Sequence, residues 1–387
     1  MLKTLAIENY RSILKLTLPM GQVTLITGPN GSGKSNLYKA LRLLAQVGRG
    51  GVVNALAADG GLDSVFWAGP EKISARMRRG EVPVQGGPRQ QVKRLRMGFA
   101  GDDYGYAISL GLPEPVPRSV FNLDPEIKRE GIWYGEFYRP ASLLVDRKGP
   151  AVRVRDGRQW QVAAQHLPGF DSLFDQVADV QSTPEVFQLR ENIRRWRFYD
   201  HFRTDRDAPA RQPQLGTRTP VLHHDGRDLA AAIQTIREIG DEAALDEAIS
   251  YAFPGAYLRV RREDDGRFFL ELQQEGLLRP LAVSELSDGT LRYILWVAAL
   301  LTPRPPELMV LNEPETSLHP DLLPALGRLI LQASEHCQVW VVSHASRLIA
   351  TLEQSESCCS IQLDKELGET RAANLGQFDI PAWYWPD

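Results

Sequence analysis

Residues 28–35 read Gly28-Pro29-Asn30-Gly31-Ser32-Gly33-Lys34-Ser35, which satisfies G-x-x-x-x-G-K-[ST]. Glycines at these spacings let the backbone curl until successive N–H groups point inward at phosphate oxygens, and a following helix N-terminus adds a partial positive charge. Lys34 then reaches the β- and γ-phosphates, and the Ser35 hydroxyl is placed to ligate Mg²⁺. Such a loop needs a second strand ending in acidic residues, to hold the metal and to orient an attacking water. The apolar run 308–311 ends at Asn312-Glu313. Glu313 is placed there as the general base, and Asn312 stands where an aspartate is usual.

The elements that must carry these groups follow from periodicity. Residues 2–7 and 22–27 are apolar runs of strand length, and 36–45 shows helical spacing at Leu37, Ala40, Leu41 and Leu44. The loop 28–35 therefore sits in a βα turn. Runs 308–311 and 339–342 predict strands buried on both faces, with a helix over 322–333 between them, which is a βαβ unit. Hairpins are predicted around Asp102-Asp103 and around Asp264-Asp265-Gly266. Asp228 is placed to cap a helix over 229–239, followed by a second helix to Ala252. Residues 50–61 and 72–96 read as exposed loop, and 113–219 offers only short strand-like stretches at 142–145 and 152–154 among Pro-rich turns.

The composition fits this plan. A length of 387 residues suggests two to three domains, and 43% hydrophobic with 24% charged residues is ordinary for a folded, soluble protein. With 45 Lys and Arg against 48 Asp and Glu, the formal charge of −3 excludes a uniformly basic nucleic-acid coat and leaves room only for local basic patches. The longest apolar run, 293–301, falls far short of the ~20 residues that span a bilayer, and no signal-peptide core follows Lys3. No membrane partner is expected, and the expected location is the cytoplasm. Cys337, Cys358 and Cys359 form neither a C-x-x-C pair nor a disulfide framework.

Three further segments join these. Leu286-Ser287-Asp288-Gly289-Thr290 opens a helix, 314–320 reads Pro-Glu-Thr-Ser-Leu-His-Pro, and Val341-Val342-Ser343-His344 closes the last buried strand. In this order they resemble the signature motif, D-loop and switch histidine of ABC-type ATPase heads. The opening Ile7-Glu8-Asn9-Tyr10-Arg11-Ser12 narrows the resemblance to the RecF/Rad50/SMC branch, in its small stand-alone AAA15-like group. It covers roughly 1–45 and 280–350; the middle of the chain is only loosely similar.

The resemblance implies an α/β fold of the P-loop NTPase, ABC ATPase head type: a mixed, largely parallel sheet with an antiparallel β subdomain and a helical signature lobe. The expected division is 1–112 for the P-loop lobe, 113–254 for an inserted mixed lobe and 255–387 for the signature helix and remaining ATPase part. It further implies that Asn30, Gly31, Ser32, Gly33, Lys34, Ser35 and Asn36 bind ATP, with Ser35 and Asn312 at Mg²⁺ and Arg11 near the phosphates. Glu313 would be the catalytic base, with Lys34 also serving catalysis, and His344 would sense the γ-phosphate. Ser287 and Gly289 would act in trans, capping ATP held by a second copy in a homodimer. Gln90 and Gln91 are the Q-loop candidates by position. Work in DNA repair, DNA maintenance or anti-phage defence is the function implied; the alternative is a slow-hydrolysing clamp that holds and releases an effector protein, a toxin or a nuclease, to which Asn312 lends weight.

Two basic segments bear on that choice. Residues 72–96 carry Lys72, Arg76, Arg78, Arg79, Arg89, Lys93, Arg94 and Arg96 against Glu81 alone, a composition able to track a phosphate backbone. Residues 192–211 interleave Arg194, Arg195, Arg197, Arg203 and Arg206 with Trp196, Phe198, Tyr199 and Phe202, a pattern able to stack bases. Solvated or intersubunit faces are the competing readings of both.

Overall fold

A computed structural model describes residues 1–86 and 92–386. The chain forms two compact units, each built from separated segments. Unit 1 takes 1–21, 27–195 and the chain from 361 onward, and unit 2 takes 22–26 and 196–360.

Unit 1 is organised on an eight-stranded antiparallel sheet in the order Ile13–Pro19, Leu2–Tyr10, Leu95–Gly101, Tyr104–Gly111, Glu126–Tyr134, Leu143–Lys148, Ala151–Asp156, Gln159–Ala164. Large side chains stack across its registers, Leu5 opposite Phe99, Phe99 opposite Tyr106 and Tyr106 opposite Ile132, and all are buried. The helix Lys34–Val47 buries Leu37, Leu41 and Leu44 along one stripe, as its spacing predicts. A charged cluster inside this unit is fully satisfied. The Glu130 carboxylate accepts from Arg147 Nη1 at 2.6 Å, Tyr106 Oη at 2.7 Å, Ser172 Oγ at 2.6 Å and the Leu173 N–H at 3.0 Å. Burial and the adjacent Glu130 charge push the Tyr106 phenol well above its ordinary pKa, so it stays a donor.

The last residues strap this sheet. Trp383 sits edge-on to Trp133 with ring centroids 5.5 Å apart, over Gly98, where an added Cβ would come within 2.7 Å of the indole. Trp385 Nε1 donates to Glu8 Oε2 at 2.8 Å, joining residues near the two ends of the sequence. The hairpin of Cys358–Glu366 and Glu369–Ala372 contributes its residues from 361 onward to the same unit.

Unit 2 holds parallel strands in the order Arg197–Tyr199, Leu308–Asn312, Gln338–Val342, Val23–Thr27. Helix Leu323–Ser334 makes the crossover between the second and third. Helix Asp288–Leu300 is buried on nearly every face, and Ile294, Leu295 and Trp296 join Leu25, Met309, Leu311, Val339 and Val341 in one core. The helices Leu229–Ile239 and Glu242–Ala252 pack with a small antiparallel sheet formed by Tyr257–Arg262, Arg267–Gln273 and two short strands.

The βα turn, the βαβ unit, both hairpins and the helical pair lie where periodicity puts them. Other segments differ. Ile13–Pro19 is a strand, with Leu16 and Leu18 inward and Lys15 outward, and the small-residue stretch after Gly50 is a helix, Val52–Ala58, anchored by Val52 and Leu56. Residues 113–219 hold six strands and two α-helices, the longer Pro184–Arg194, where the sequence marks little. Asp228 precedes its helix, but its carboxylate accepts from the His223 N–H at 2.9 Å and makes no cap bond.

The base-stacking reading of the second basic segment is corrected. Trp196, Tyr199 and Phe202 are buried at 2%, 1% and 1% exposure, so they are core side chains and offer no face to a base. In 72–96, Arg78 pairs with Glu366 and Glu369 at 3.1 Å each, while Arg76 and Arg79 share Glu81. Carboxylates remote in sequence therefore neutralise part of a segment that looks almost purely cationic. Arg89 lies outside the described residues. Among the described residues no helix is long and apolar enough to cross a membrane.

Candidate functional site

In unit 1 the loop after Thr27 takes left-handed backbone at Gly28, Gly31 and Gly33, with φ of +140°, +81° and +110°. Two of these glycines are also sterically required. A Cβ on Gly28 would meet the Leu363 carbonyl oxygen at 2.3 Å, and one on Gly33 would meet Thr370 Oγ1 at 2.0 Å. Lys34 Nζ curls back to donate to the carbonyls of Gly28 at 2.6 Å and Pro29 at 3.0 Å, closing the loop around its own ammonium. Ser32 Oγ is buried with no hydrogen-bond partner, while Asn30, Gly31 and Ser35 are exposed.

A relay of hydroxyls braces this loop. Asn36 Nδ2 donates to Ser12 Oγ at 2.7 Å, Ser12 Oγ lies 2.7 Å from Thr370 Oγ1, and Thr370 Oγ1 donates to the Ser32 carbonyl at 2.9 Å. Thr370 is fully buried and stands 338 positions from Ser32, so no local pattern could reveal it. Thr370→Val keeps the shape and leaves the Ser32 carbonyl without its donor. We expect it to cost about 1–3 kcal/mol of stability, and ATP affinity should fall with it. Urea unfolding with and without ATP measures both, and an unchanged midpoint would remove the relay from the account.

Arg11 has φ of +49° at the tip of the first hairpin. Its guanidinium lies 2.9 Å from Asp59 and 3.3 Å from the Tyr10 hydroxyl. Burial works against this cation, but Tyr10 and Asp59 outweigh it and hold its pKa above the ordinary value.

Unit 2 gathers the acidic and switch residues. Asn312, Val342 and Ile26 lie in register at the carboxyl ends of adjacent parallel strands, the end at which open α/β sheets bind ligands. Glu313 follows with φ of +49°, a strained value for a non-glycine residue, held by its N–H donating to the Val342 carbonyl at 2.8 Å. Glu315 is buried. Its Oε1 accepts from Ser343 Oγ at 2.8 Å and from the N–H groups of His344 at 2.8 Å and Ala345 at 3.2 Å, and His344 Nδ1 lies 3.2 Å away. Glu315 thus fixes both backbone and ring of His344 and leaves Glu313 free of that task. In the sequence Glu315 is only one residue of the Pro-Glu-Thr-Ser-Leu-His-Pro stretch, with no role of its own.

Ser287 caps helix Asp288–Leu300, its Oγ accepting from the Thr290 N–H at 3.2 Å, and remains exposed. Gly289 allows close approach of the Ser317 carbonyl, which would be 3.1 Å from a Cβ at that position. Arg292 fastens the same two segments, with Nη1 donating to the Thr316 carbonyl at 2.7 Å and Nη2 to the Phe202 carbonyl at 2.9 Å. The signature helix and the 314–320 loop are therefore one piece within unit 2. Gln90 and Gln91 lie outside the described residues.

The donor sets can be tested against a nucleotide. Curled backbone with three left-handed glycines, a lysine able to swing off two carbonyls and an orphaned Ser32 hydroxyl fit a polyphosphate. The exposed Ser35 hydroxyl and the Asn312 amide offer neutral oxygen donors suited to a hard cation such as Mg²⁺.

Comparison with known proteins agrees in kind. A family model described as "AAA domain, putative AbiEii toxin, Type IV TA system" matches residues 23–87 and 172–350. A curated relative, the OLD nuclease of Thermus scotoductus, is 43% identical over 44 residues, a stretch covering 11% of this chain and only 8% of that protein. Among solved structures, an SMC head bound to the C-winged helix domain of ScpA superposes with a TM-score of 0.52 at 14% identity, covering 97% of this chain and 98% of the other. The SMC head domain from Thermotoga maritima gives 0.48 at 15% identity, with 97% and 99% covered.

Proposed function

From the premise that this chain belongs to that AAA-domain family and has the fold of an SMC/Rad50-like ABC ATPase head, we propose that it binds and hydrolyses Mg·ATP and that two copies close around two nucleotides to control a partner effector protein. The observation that carries this reading is the loop 28–35, where left-handed glycine backbone curls around the Lys34 ammonium beside the unpartnered Ser32 hydroxyl. Asn30, Gly31, Ser32 and Gly33 would present N–H groups to the phosphates, Lys34 would move from its carbonyls onto the β/γ pair, and Ser35 with Asn312 would hold the ion. Bound Mg²⁺ supplies charge neutralisation at the β- and γ-phosphates. Glu313 takes the proton of the attacking water, and His344, fixed by Glu315, donates to the γ-phosphate. Asn312 contributes an amide dipole in place of a full charge, which supports slow turnover and a timing role.

The exposed Ser287 and the helix start at Asp288 form an anion site that would cap the nucleotide of a second copy. An effector is favoured over DNA because Trp196, Tyr199 and Phe202 are buried and Arg78 is matched by Glu366 and Glu369. The family description names a toxin system and the curated relative is a nuclease, which suits a defence setting.

Ser287→Arg tests assembly. ATP should double the mass of the wild-type protein in light scattering and leave the variant monomeric, with nucleotide affinity of the monomer unchanged. A wild-type mass insensitive to ATP would overturn the dimer. Salt-dependent retention of duplex DNA in filter binding, steepening with ATP, would put DNA in place of the effector.

A further inference from the structure

Unit 2 contains a cavity of about 460 Å³ that none of the residues assigned above to the nucleotide or the metal lines. Its size falls within the range of small-molecule sites. Arg206, Arg211, Arg227 and Arg261 line it, with the single carboxylate Asp228 and an apolar wall that includes Phe268.

The four cations are not equivalent. Arg261 is neutralised by Glu263 at 2.7 Å and Glu271 at 2.9 Å. Arg211 reaches Asp288 at 2.9 Å and gives its other donors to the carbonyls of Thr204 and Val283, each at 2.8 Å. Among the described residues, the guanidinium groups of Arg206 and Arg227 have neither an ion-pair nor a hydrogen-bond partner. Two acids beside Arg227 have partners elsewhere. Asp228 accepts from the His223 N–H at 2.9 Å. Asp225 accepts from the Arg227 N–H at 3.1 Å and lies 2.6 Å from His223 Nδ1. The concavity therefore presents two forked cations without a direct partner beside an aromatic ring, a donor set that matches a phosphate carried on a ring-bearing molecule.

We propose that this cavity binds a small phosphorylated organic molecule of the nucleoside monophosphate class, its phosphate held by Arg206 and Arg227 and its ring against Phe268. Arg211 gives the site an output. It lines the cavity while holding Asp288, the first residue of the signature helix, and the Val283 carbonyl just before it. Occupancy then steadies the segment carrying Ser287 and Gly289. This output rests on the ATP-dimer reading; the binding itself does not.

The test uses the full chain carrying Lys34→Ala, so that the loop 28–35 does not compete, with AMP and inorganic pyrophosphate as probes in calorimetry. AMP is expected to bind at one site, and adding Arg206→Glu with Arg227→Glu should weaken it about 100-fold through loss of two charge-assisted contacts. Phe268→Ala should weaken AMP and leave pyrophosphate unchanged. Circular dichroism confirms that each variant is folded. Failure of both probes to bind, or binding indifferent to the double arginine variant, overturns the site. Equal effects of Phe268→Ala on both probes overturn the ring contact. ATP binding that survives Lys34→Ala would count against the P-loop assignment and leave the cavity to be judged by its arginines alone.

Discussion

Lys34→Ala should reduce ATP affinity by about 100-fold or more while the protein stays folded. The ammonium is the one side-chain cation in the loop 28–35, and a hydrogen bond to a charged group is worth about 1.5–3 kcal/mol, each 1.4 kcal/mol being a factor of ten. Its present partners, the carbonyls of Gly28 and Pro29, lie in a partly exposed loop where water can replace the donor. The cost to the fold is therefore about 1 kcal/mol. Calorimetry on variant and wild type, with thermal melts as the control for folding, decides the matter. Wild-type affinity in a folded variant would sink the nucleotide assignment.

Glu313→Gln should lower the hydrolysis rate by about 10²–10⁴, the usual contribution of a positioned general base, and should accumulate the ATP-bound dimer. Glutamine preserves side-chain length, and the strained backbone at φ of +49° is held by the N–H bond to Val342, which the substitution does not touch. Binding should survive. The neighbouring Glu315 is the obvious competitor for the role, yet its Oε1 is committed to Ser343 and to the N–H groups of His344 and Ala345. Glu315→Gln should disturb the placement of His344 and act as a positioning variant. Turnover retained in Glu313→Gln and lost in Glu315→Gln would reverse the assignment.

What was legible in the sequence was local or periodic. The glycine spacing of 28–33, the continuous apolar runs at 308–311 and 339–342 and the Asp-Gly hairpin turn are all written within a few residues of the structure they specify. The strand Ile13–Pro19 carries a period-two pattern, but it lies between two more conspicuous apolar runs and is easily taken as their connector. Helix Val52–Ala58 is disguised by flanking glycines and by the low contrast of its alanines.

The aromatic segment at 196–202 fails for a different reason. Arginine interleaved with aromatic residues looks the same whether the rings face a base or a core, and only the neighbours, among them Trp296 with its centroid 4.9 Å from that of Phe202, decide. Charge balance is likewise non-local. Arg78 finds Glu366 some 288 positions away, so a segment's net charge says little about the field it presents once folded. Thr370 and Glu315 were illegible as braces because a hydroxyl or carboxylate earns that role only from the partners that tertiary structure brings to it.

The interleaving of the two units along the chain has a consequence for biosynthesis. All of residues 196–360 are translated between the loop 28–35 and the segment that braces it. At ~5–20 residues per second, the nascent polypeptide carries an unsupported loop for a time on the order of tens of seconds, until Thr370 emerges and the relay to Ser12 and Ser32 can close. The Trp383 and Trp385 strap is added later still. The loop 28–35 therefore gains its Thr370 brace only after the whole of 196–360 has been made, and until then the Ser32 carbonyl lacks that donor.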